Sequence, residues 1–362
     1  MIESKVERYS VNVLKKKLLV LMDWAPPEDW VFKKQLEHYF DTDIFFDNTK
    51  KGYNSTLEKI VALWRSYVLT GYSAFLKIRN YDLVYAWHAV MGLVVAFLCR
   101  FFHAKRPKIV IAQLIIPKRP ASLNQYLREA FIRYALKRVD TVIVYSTIEA
   151  EQFEKRYGNG STLFTFLPLG IELSNHRPAS DEHYIFSGGR SNRDYATLVK
   201  AVTGLNFKVK IAAQRFNVSE LALPENVETY FDVYGESFSR LLAGATIVVI
   251  PLERADESSG QLVLLNAMAF GKPIIITRSR GVEDYIRDGE NVITVPRQNM
   301  FALRTELDNL LNSPEERRRL GVYAKESVKS FSIAKQAERV ARLLDRSIEE
   351  NYDLPRMTLH EP

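Results

Sequence analysis

The sequence predicts an α/β protein with two doubly wound parallel sheets, and three observations carry that expectation. Short runs of aliphatic residues, such as 18–22 and 274–276, alternate with longer segments of helical period. That alternation builds parallel sheets covered by helices on both faces. The chain has 362 residues, more than one hydrophobic core usually serves, so two domains are expected. A polar stretch, SNHRPASDE at 174–182, interrupts the alternation and reads as a linker; the alternation restarts at Tyr184.

Composition narrows the class. The chain is 47% hydrophobic and 26% charged with no low-complexity tract, which describes a globular protein. Its one cysteine, Cys99, allows no internal disulfide, suits a reducing compartment and sits in an apolar helix as a packing residue. The histidines show no metal-ligand spacing. The first residues, MIESKVERYS, lack the apolar core of a signal peptide, and the longest apolar run, 89–102, is broken at Arg100 and too short for a membrane span. These features predict a cytoplasmic protein. Residues 1–175 hold 25 Lys and Arg against 17 Asp and Glu, a net of +8, while the remainder nets −1 of the total +7. The first half therefore points to an anionic partner. The basic residues are scattered rather than striped and resemble no nucleic-acid module.

In order, Lys15-Lys16-Lys17 leads into a strand at 18–22 and a loop, Asp23-Trp24-Ala25-Pro26-Pro27. Asp29 is the expected N-cap of a helix reaching about Phe40, and 43–47 is a second strand. Residues 56–80 have helical period and interleave Trp64, Tyr67, Tyr72 and Phe75 with Arg65, Lys77 and Arg79. Such a stretch is an amphipathic helix on a sheet, or an interfacial surface for a lipid-linked acceptor. Residues 82–87 read as a buried strand, with His88 at the C-terminal end, where open α/β sheets bind ligands. Strands follow at 108–114 and 141–145, with helices at 122–138 and 147–157, the latter capped by Ser146.

The second alternation has strands at 184–188, 208–213, 228–231 and 246–250. Gly188 and Gly189 let a ligand approach the backbone, and Arg190 and Arg193 stand close by. Helices are expected at 299–311, at 314–329 and after Ser332, where Ile333, Ala337, Val340, Ala341, Leu344 and Ile348 form an apolar stripe. Residues 351–362 are expected to fray.

The stretch 258–277, SSGQLVLLNAMAFGKPIIIT, carries the strongest signal. A polar glycine turn, Ser258-Ser259-Gly260, opens the apolar segment 262–270; Gly271 suits the left-handed helix end and Pro273 forbids continuation. A helix apolar nearly all round must be buried. Its N-terminal N–H donors and dipole then form a seat for an anion. An ordinary β–α–β unit with a serine-rich cap has the same spacing, so the residues alone leave both readings open.

The segment LVLLNAMAFGKPII, 262–275, resembles the donor-site helix of glycosyltransferase family 4, retaining sugar transferases of GT-B fold, whose pattern is E-G-F-G-L-V-L-L-E-A-M-A-x-G-K-P-V-I. YIFSGGRSNRDYATLVKAV, 184–202, is similar to the family's strand–G-R–loop–K–helix segment, with Arg190 as the family arginine and Arg193 where lysine is usual. Residues 164–170 resemble its I-P-N-G-V segment with Leu169 in place of asparagine, and Gly281 and 283–289 also match, although Asn291-Val292 replaces Asn-Gly. The resemblance implies two Rossmann-like domains facing a cleft: an acceptor domain at 1–175, a nucleotide-sugar domain at 183–330, and a crossover helix and tail at 331–362 returning to the N-terminal domain.

It implies a donor site of Gly188, Gly189, Arg190, Arg193, Ser258, Ser259, Gly260, Gln261, Leu262 and Asn266, and an acceptor side of Asp23, Trp24 and His88. Arg190, Arg193 and the N–H groups of 259–261 are expected to stabilise the departing diphosphate in place of a metal ion, and loss of Arg190 should cost on the order of 3 kcal/mol. His88 corresponds to a family histidine near the donor sugar. The family's two glutamates fall on Ser258 and Asn266, which hydrogen-bond hydroxyls without charge, and the adjacent Glu257 is the expected substitute carboxylate. No cofactor and no metal are expected; the donor is a UDP- or GDP-sugar. The acceptor is a glycan or lipid-linked molecule met at the cytoplasmic face of an anionic membrane. Two alternatives share the fold. Loss of both glutamates motivates a catalytically inactive nucleotide-sugar-binding subunit. A non-hydrolysing epimerase needs converging carboxylates and histidines, and the sequence shows no such constellation.

Overall fold

The computed structural model describes residues 15–46, 56–105, 107–114, 116, 122–174, 176 and 180–348. The tail expected to fray, 351–362, and much of the 174–182 linker lie outside these described residues. The first sheet alternates β1 (Lys17–Met22), α1 (Val31–Tyr39), β2 (Asp41–Phe46), α2 (Thr56–Lys77), β3 (Leu83–Ala86), α3 (Ala89–Phe101), β4 (Lys108–Ala112), α4 (Leu123–Leu136), β5 (Thr141–Val144), α5 (Thr147–Tyr157) and β6 (Leu163–Phe166). Its strand order is β2-β1-β3-β4-β5-β6, and the pairs β1–β2, β1–β3, β3–β4 and β5–β6 run parallel. β3 and β5 are buried at every residue, as strands covered on both faces must be, whereas the edge strand β2 leaves Asp41, Asp43 and Phe46 exposed.

The second sheet uses β7 (Tyr184–Gly188), α6 (Tyr195–Val202), β8 (Lys208–Ala213), α7 (Arg215–Val218), β9 (Val227–Phe231), α8 (Gly235–Ala243), β10 (Ile247–Ile250), α9 (Gln261–Ala269), β11 (Ile274–Thr277) and β12 (Ile293–Val295). The order is β12-β11-β10-β7-β8-β9, parallel throughout. α10 (Met300–Asn312), α11 (Pro314–Ser327) and α12 (Ile333–Ile348) follow. α9 lies in the core, with Leu264, Leu265, Ala267 and Met268 wholly buried beside Phe186, Ile250 and Ile276. Each sheet reverses its strand order once, between β1 and β3 and between β7 and β10, and the carboxyl ends of those strands are where ligands enter doubly wound sheets.

Side-chain caps fall where small polar residues precede helices: Ser122, Ser146, Asp194, Asn299 and Ser313 each accept an N–H three residues on. The Asp29 expectation is corrected. Trp30 is the N-cap of α1 with no side-chain cap bond, its N–H donates to Pro27 O at 3.1 Å, and its ring packs on Trp24, Phe32 and Trp87. Aromatic burial, rather than a carboxylate cap, sets that boundary.

Among the described residues, one compact unit takes those between 15 and 112, 122–140 and 341–348, and the other those between 113 and 116 and between 141 and 340. α12 therefore begins in the second unit and ends in the first. β5, α5 and β6 belong to the second unit. Within it, the Tyr285 hydroxyl donates to Tyr145 O at 2.8 Å and accepts Leu169 N–H at 3.0 Å, while Thr147 donates its N–H and hydroxyl to Asp284.

Candidate functional site

At the switch point of the second sheet, β7 ends in Gly188 and turns through Gly189, whose φ of +122° only glycine adopts without strain. The absent side chain makes room for Arg193: a Cβ at Gly189 would lie 2.5 Å from its Nη2. Arg193 folds back into this turn, donating from Nε to Gly188 O at 3.1 Å and from Nη1 to Ser191 O at 2.7 Å. Among the described residues no carboxylate pairs with this guanidinium, and burial pushes its pKa below the usual arginine range. It stays charged under any ordinary condition. A half-buried cation held by carbonyl oxygens, with no carboxylate beside it, is free to take an anion. Arg190, by contrast, is exposed, and only its carbonyl is tied down, by Asn217.

The other wall is the loop between β10 and α9. Gly260 caps α9 in the left-handed region, φ +93°, with no side-chain cap bond. Leu264 N–H is the first to reach an intrahelical carbonyl, Gly260 O, so the N–H groups of Gln261, Leu262 and Val263 precede the helix's own ladder and meet no partner among the described residues. A Cβ built on Gly260 would stand 3.9 Å from Arg193 Nη2, which places the guanidinium at this helix end. Asn192, itself left-handed at φ +54°, ties the two walls together: its amide donates to Ser259 Oγ at 2.8 Å and accepts Arg254 N–H at 2.8 Å. The site thus presents donors and a fixed cation to one small region, the chemistry of a phosphate or diphosphate seat.

Several expected residues take other positions. The Gln261 side chain is buried, donating to both Ser258 Oγ and Gly281 O at 2.7 Å, so only its backbone faces a ligand. Leu262 is 59% exposed on a helix otherwise sunk in the core. The Asn266 amide donates to Leu262 O at 2.6 Å, and its oxygen meets His176 Nε2 at 2.7 Å. The Glu257 carboxylate pairs with Arg254 at 3.1 Å on the surface. Another carboxylate in the neighbourhood of Ser258 is that of Glu149, at the start of α5, which accepts Tyr145 N–H at 3.2 Å. Asn192, His176 and Glu149 had no sequence signal, because Ser146-Thr147-Ile148-Glu149 reads as an ordinary helix start.

In the first unit, Asp23 follows β1 and His88 follows β3, at that sheet's own switch point. His88 is the N-cap of α3 without a cap bond, its ring centroid lies 3.9 Å from that of Tyr67, and its Nδ1 is buried without a partner. Burial lowers its pKa, against the opposing charge of Asp23. Trp24 packs edge-on against Trp30. Among the described residues no group of three or more His, Cys, Asp or Glu could hold a metal ion.

Known proteins resemble this chain in part of its sequence and in its fold. Residues 210–327 match the family model described as glycosyl transferases group 1. An uncharacterized glycosyltransferase of Methanocaldococcus jannaschii is 24% identical over 213 residues, covering 57% of this chain and 59% of the relative. The MMP α-(1→4)-mannosyltransferase of Mycolicibacterium hassiacum is 30% identical over 136 residues, 35% of this chain and 32% of its own. The chain thus spans less than two thirds of the length of these curated relatives. Among solved structures, sucrose-phosphate synthase from Thermosynechococcus elongatus superposes with a TM-score of 0.68 at 18% identity, over 92% of this chain and 99% of its own. Anabaena HepE in complex with UDP does so with 0.63 at 16%, over 91% and 100%. The fold is GT-B, with two Rossmann-like sheets.

Proposed function

We propose that the chain is a retaining glycosyltransferase that moves a sugar from a nucleoside-diphosphate donor to an acceptor hydroxyl. The observation that carries the reading is Arg193: a half-buried guanidinium without a carboxylate partner among the described residues, set against the uncapped N-terminus of α9. In the proposed reaction the acceptor oxygen attacks the anomeric carbon from the face the diphosphate leaves. The anomeric C–O bond breaks with its electron pair on the diphosphate, and the acceptor's proton passes to that departing oxygen. Charge grows on the diphosphate, where Arg193 and the N–H groups of Gln261 to Val263 are already in place; preorganised donors of this kind are worth about 3–4 kcal/mol each. Arg190 joins them by swinging in from solvent. These groups supply the positive charge, so turnover in this reading needs no added metal. The UDP and UDP-glucose complexes of HepE make UDP-sugars the first donors to test, ahead of GDP-sugars.

The first unit would take the acceptor, with Asp23, Trp24 and His88 at its switch point. Its α2 exposes Val61, Trp64, Val68, Leu69, Tyr72 and Leu76 at helical spacing, an apolar face beside Arg65 and Lys77. Together with the +8 of residues 1–175, that face fits an anionic lipid surface carrying a glycan or lipid-linked acceptor. No helix among the described residues is long and apolar enough to cross a membrane. A thermal-shift screen of UDP- and GDP-sugars, followed by a diphosphate-release assay, tests the reading. Stabilisation by one donor with slow release supports it. The engagement of Asn266 by His176 favours the alternative of an inactive donor-binding subunit, which would show stabilisation without release for any acceptor pool.

A further inference from the structure

A second group of cations gathers two strands away from Arg193, at the carboxyl ends of β11 and β12. Those strands run in register to Thr277 and Val295, and Arg278 N–H donates to Val295 O at 2.9 Å, which ties their ends together. The loops beyond enclose an open cavity of about 310 Å³, whose charged lining is Arg278, Arg280, Arg297 and Glu283. That volume is at the low end of the roughly 300–1,000 Å³ of small-molecule sites, room for a single sugar ring. Arg278 meets Asp288 at 3.6 Å and Arg280 meets Glu151 at 2.8 Å. Both are exposed pairs, which contribute little and exchange readily for a better partner. Arg297 donates to Glu253 O at 3.2 Å. Among the described residues neither Arg297 nor Glu283 has an ion-pair partner, although both line the same cavity.

Guanidinium forks suit a carboxylate or a phosphate. A bare anion leaves the Glu283 carboxylate unused and beside like charge, whereas a hydroxyl donates to it. The ligand that satisfies both carries an anionic group and hydroxyls on one small ring. We propose that the loops after β11 and β12 bind an acidic sugar. Arg278, Arg280 and Arg297 hold its carboxylate or phosphate, and Glu283 accepts from a hydroxyl. The cavity adjoins the anion seat through Gly281, whose carbonyl accepts the Gln261 side chain at 2.7 Å and which packs so closely on Glu257 O that a Cβ there would clash. Resting on the donor reading above, the acidic sugar belongs to the acceptor and narrows it to a glycan carrying such a residue.

Calorimetric titration of the full chain in saturating UDP, which fills the first seat, tests this with glucuronic acid, glucose-6-phosphate, glucose and inorganic phosphate. At least one acidic sugar is expected to bind at a single site, about tenfold or more tightly than glucose or inorganic phosphate. Which of the two binds tells carboxylate from phosphate. Arg297→Gln, and the pair Arg278→Gln with Arg280→Gln, should each weaken that binding about tenfold and keep UDP affinity within about threefold. Glu283→Gln should weaken the acidic sugar but not inorganic phosphate. Absence of binding by both acidic sugars overturns the proposal, as does equal binding of glucose or binding that persists unchanged in Arg297→Gln. The sugar that binds should also raise nucleoside-diphosphate release from the donor; release that stays the same removes it from the acceptor. If UDP itself does not bind, the donor reading falls separately, and the same titrations without UDP decide the acidic-sugar site.

Discussion

At the scale of single residues, the two arginines that the sequence treats alike have different surroundings. Arg193→Ala removes a pre-placed charge and should lower transfer by about 3 kcal/mol, some hundredfold in kcat. Arg193→Lys, which keeps the charge but loses the fork that bonds Gly188 and Ser191, should recover only part. Equal activity of folded Arg193→Ala and wild type would remove Arg193 from the reaction. Glu257→Ala should cost at most about 1 kcal/mol of stability by denaturant titration, since its carboxylate makes only an exposed ion pair with Arg254. Asn266→Glu is expected to hold donor affinity within about tenfold, roughly 1.4 kcal/mol, because His176 can donate to a carboxylate as it meets the present amide. The glycines, Arg193 and the Ser258 turn were legible because each is local in sequence. Asn192 was not: its bonds to Ser259 and Arg254 cross more than sixty residues of chain.

At the scale of elements, α9 both seats the proposed ligand and anchors a core. Leu264 is fully buried, so Leu264→Ala should cost 2–5 kcal/mol of stability by denaturant titration, even where the site chemistry is unchanged. The start of α5 gives a pH signature. Burial holds the Glu149 carboxyl above its ordinary range, against the hydrogen bond from Tyr145 N–H and the nearby Ser258 hydroxyl. The folded state therefore binds this proton more tightly than the unfolded chain. That stabilisation is complete below the ordinary carboxylate value and is lost as pH rises through the raised one. Glu149→Gln should consequently gain in Tm relative to wild type on moving from acid to neutral pH; a gap independent of pH would contradict the assignment. Most elements were legible because buried strands are short aliphatic runs and small polar residues cap helices. The start of α1 was not, since Trp30 is held edge-on by Trp24 and stacked on Phe32, which periodicity cannot see.

For the whole molecule, two doubly wound sheets with one switch point each were readable from alternation and length. The compact units divide at Asp140 rather than where the sheets change over, because Tyr285 and Asp284 bind the start of α5. Liposomes containing phosphatidylglycerol should sediment the protein at low salt and release it at high salt, since surface attraction is screened. A Trp64→Asp, Leu69→Asp pair should abolish sedimentation; wild-type protein that stays in the supernatant would exclude the lipid surface. The central claim is tested most directly by nucleoside-diphosphate release from UDP- and GDP-sugars in excess EDTA, wild type beside Arg193→Ala. The account predicts slow release from one donor, undiminished by EDTA and about a hundredfold lower in the variant. Absence of release from every donor by wild-type protein, with any acceptor pool, would contradict it.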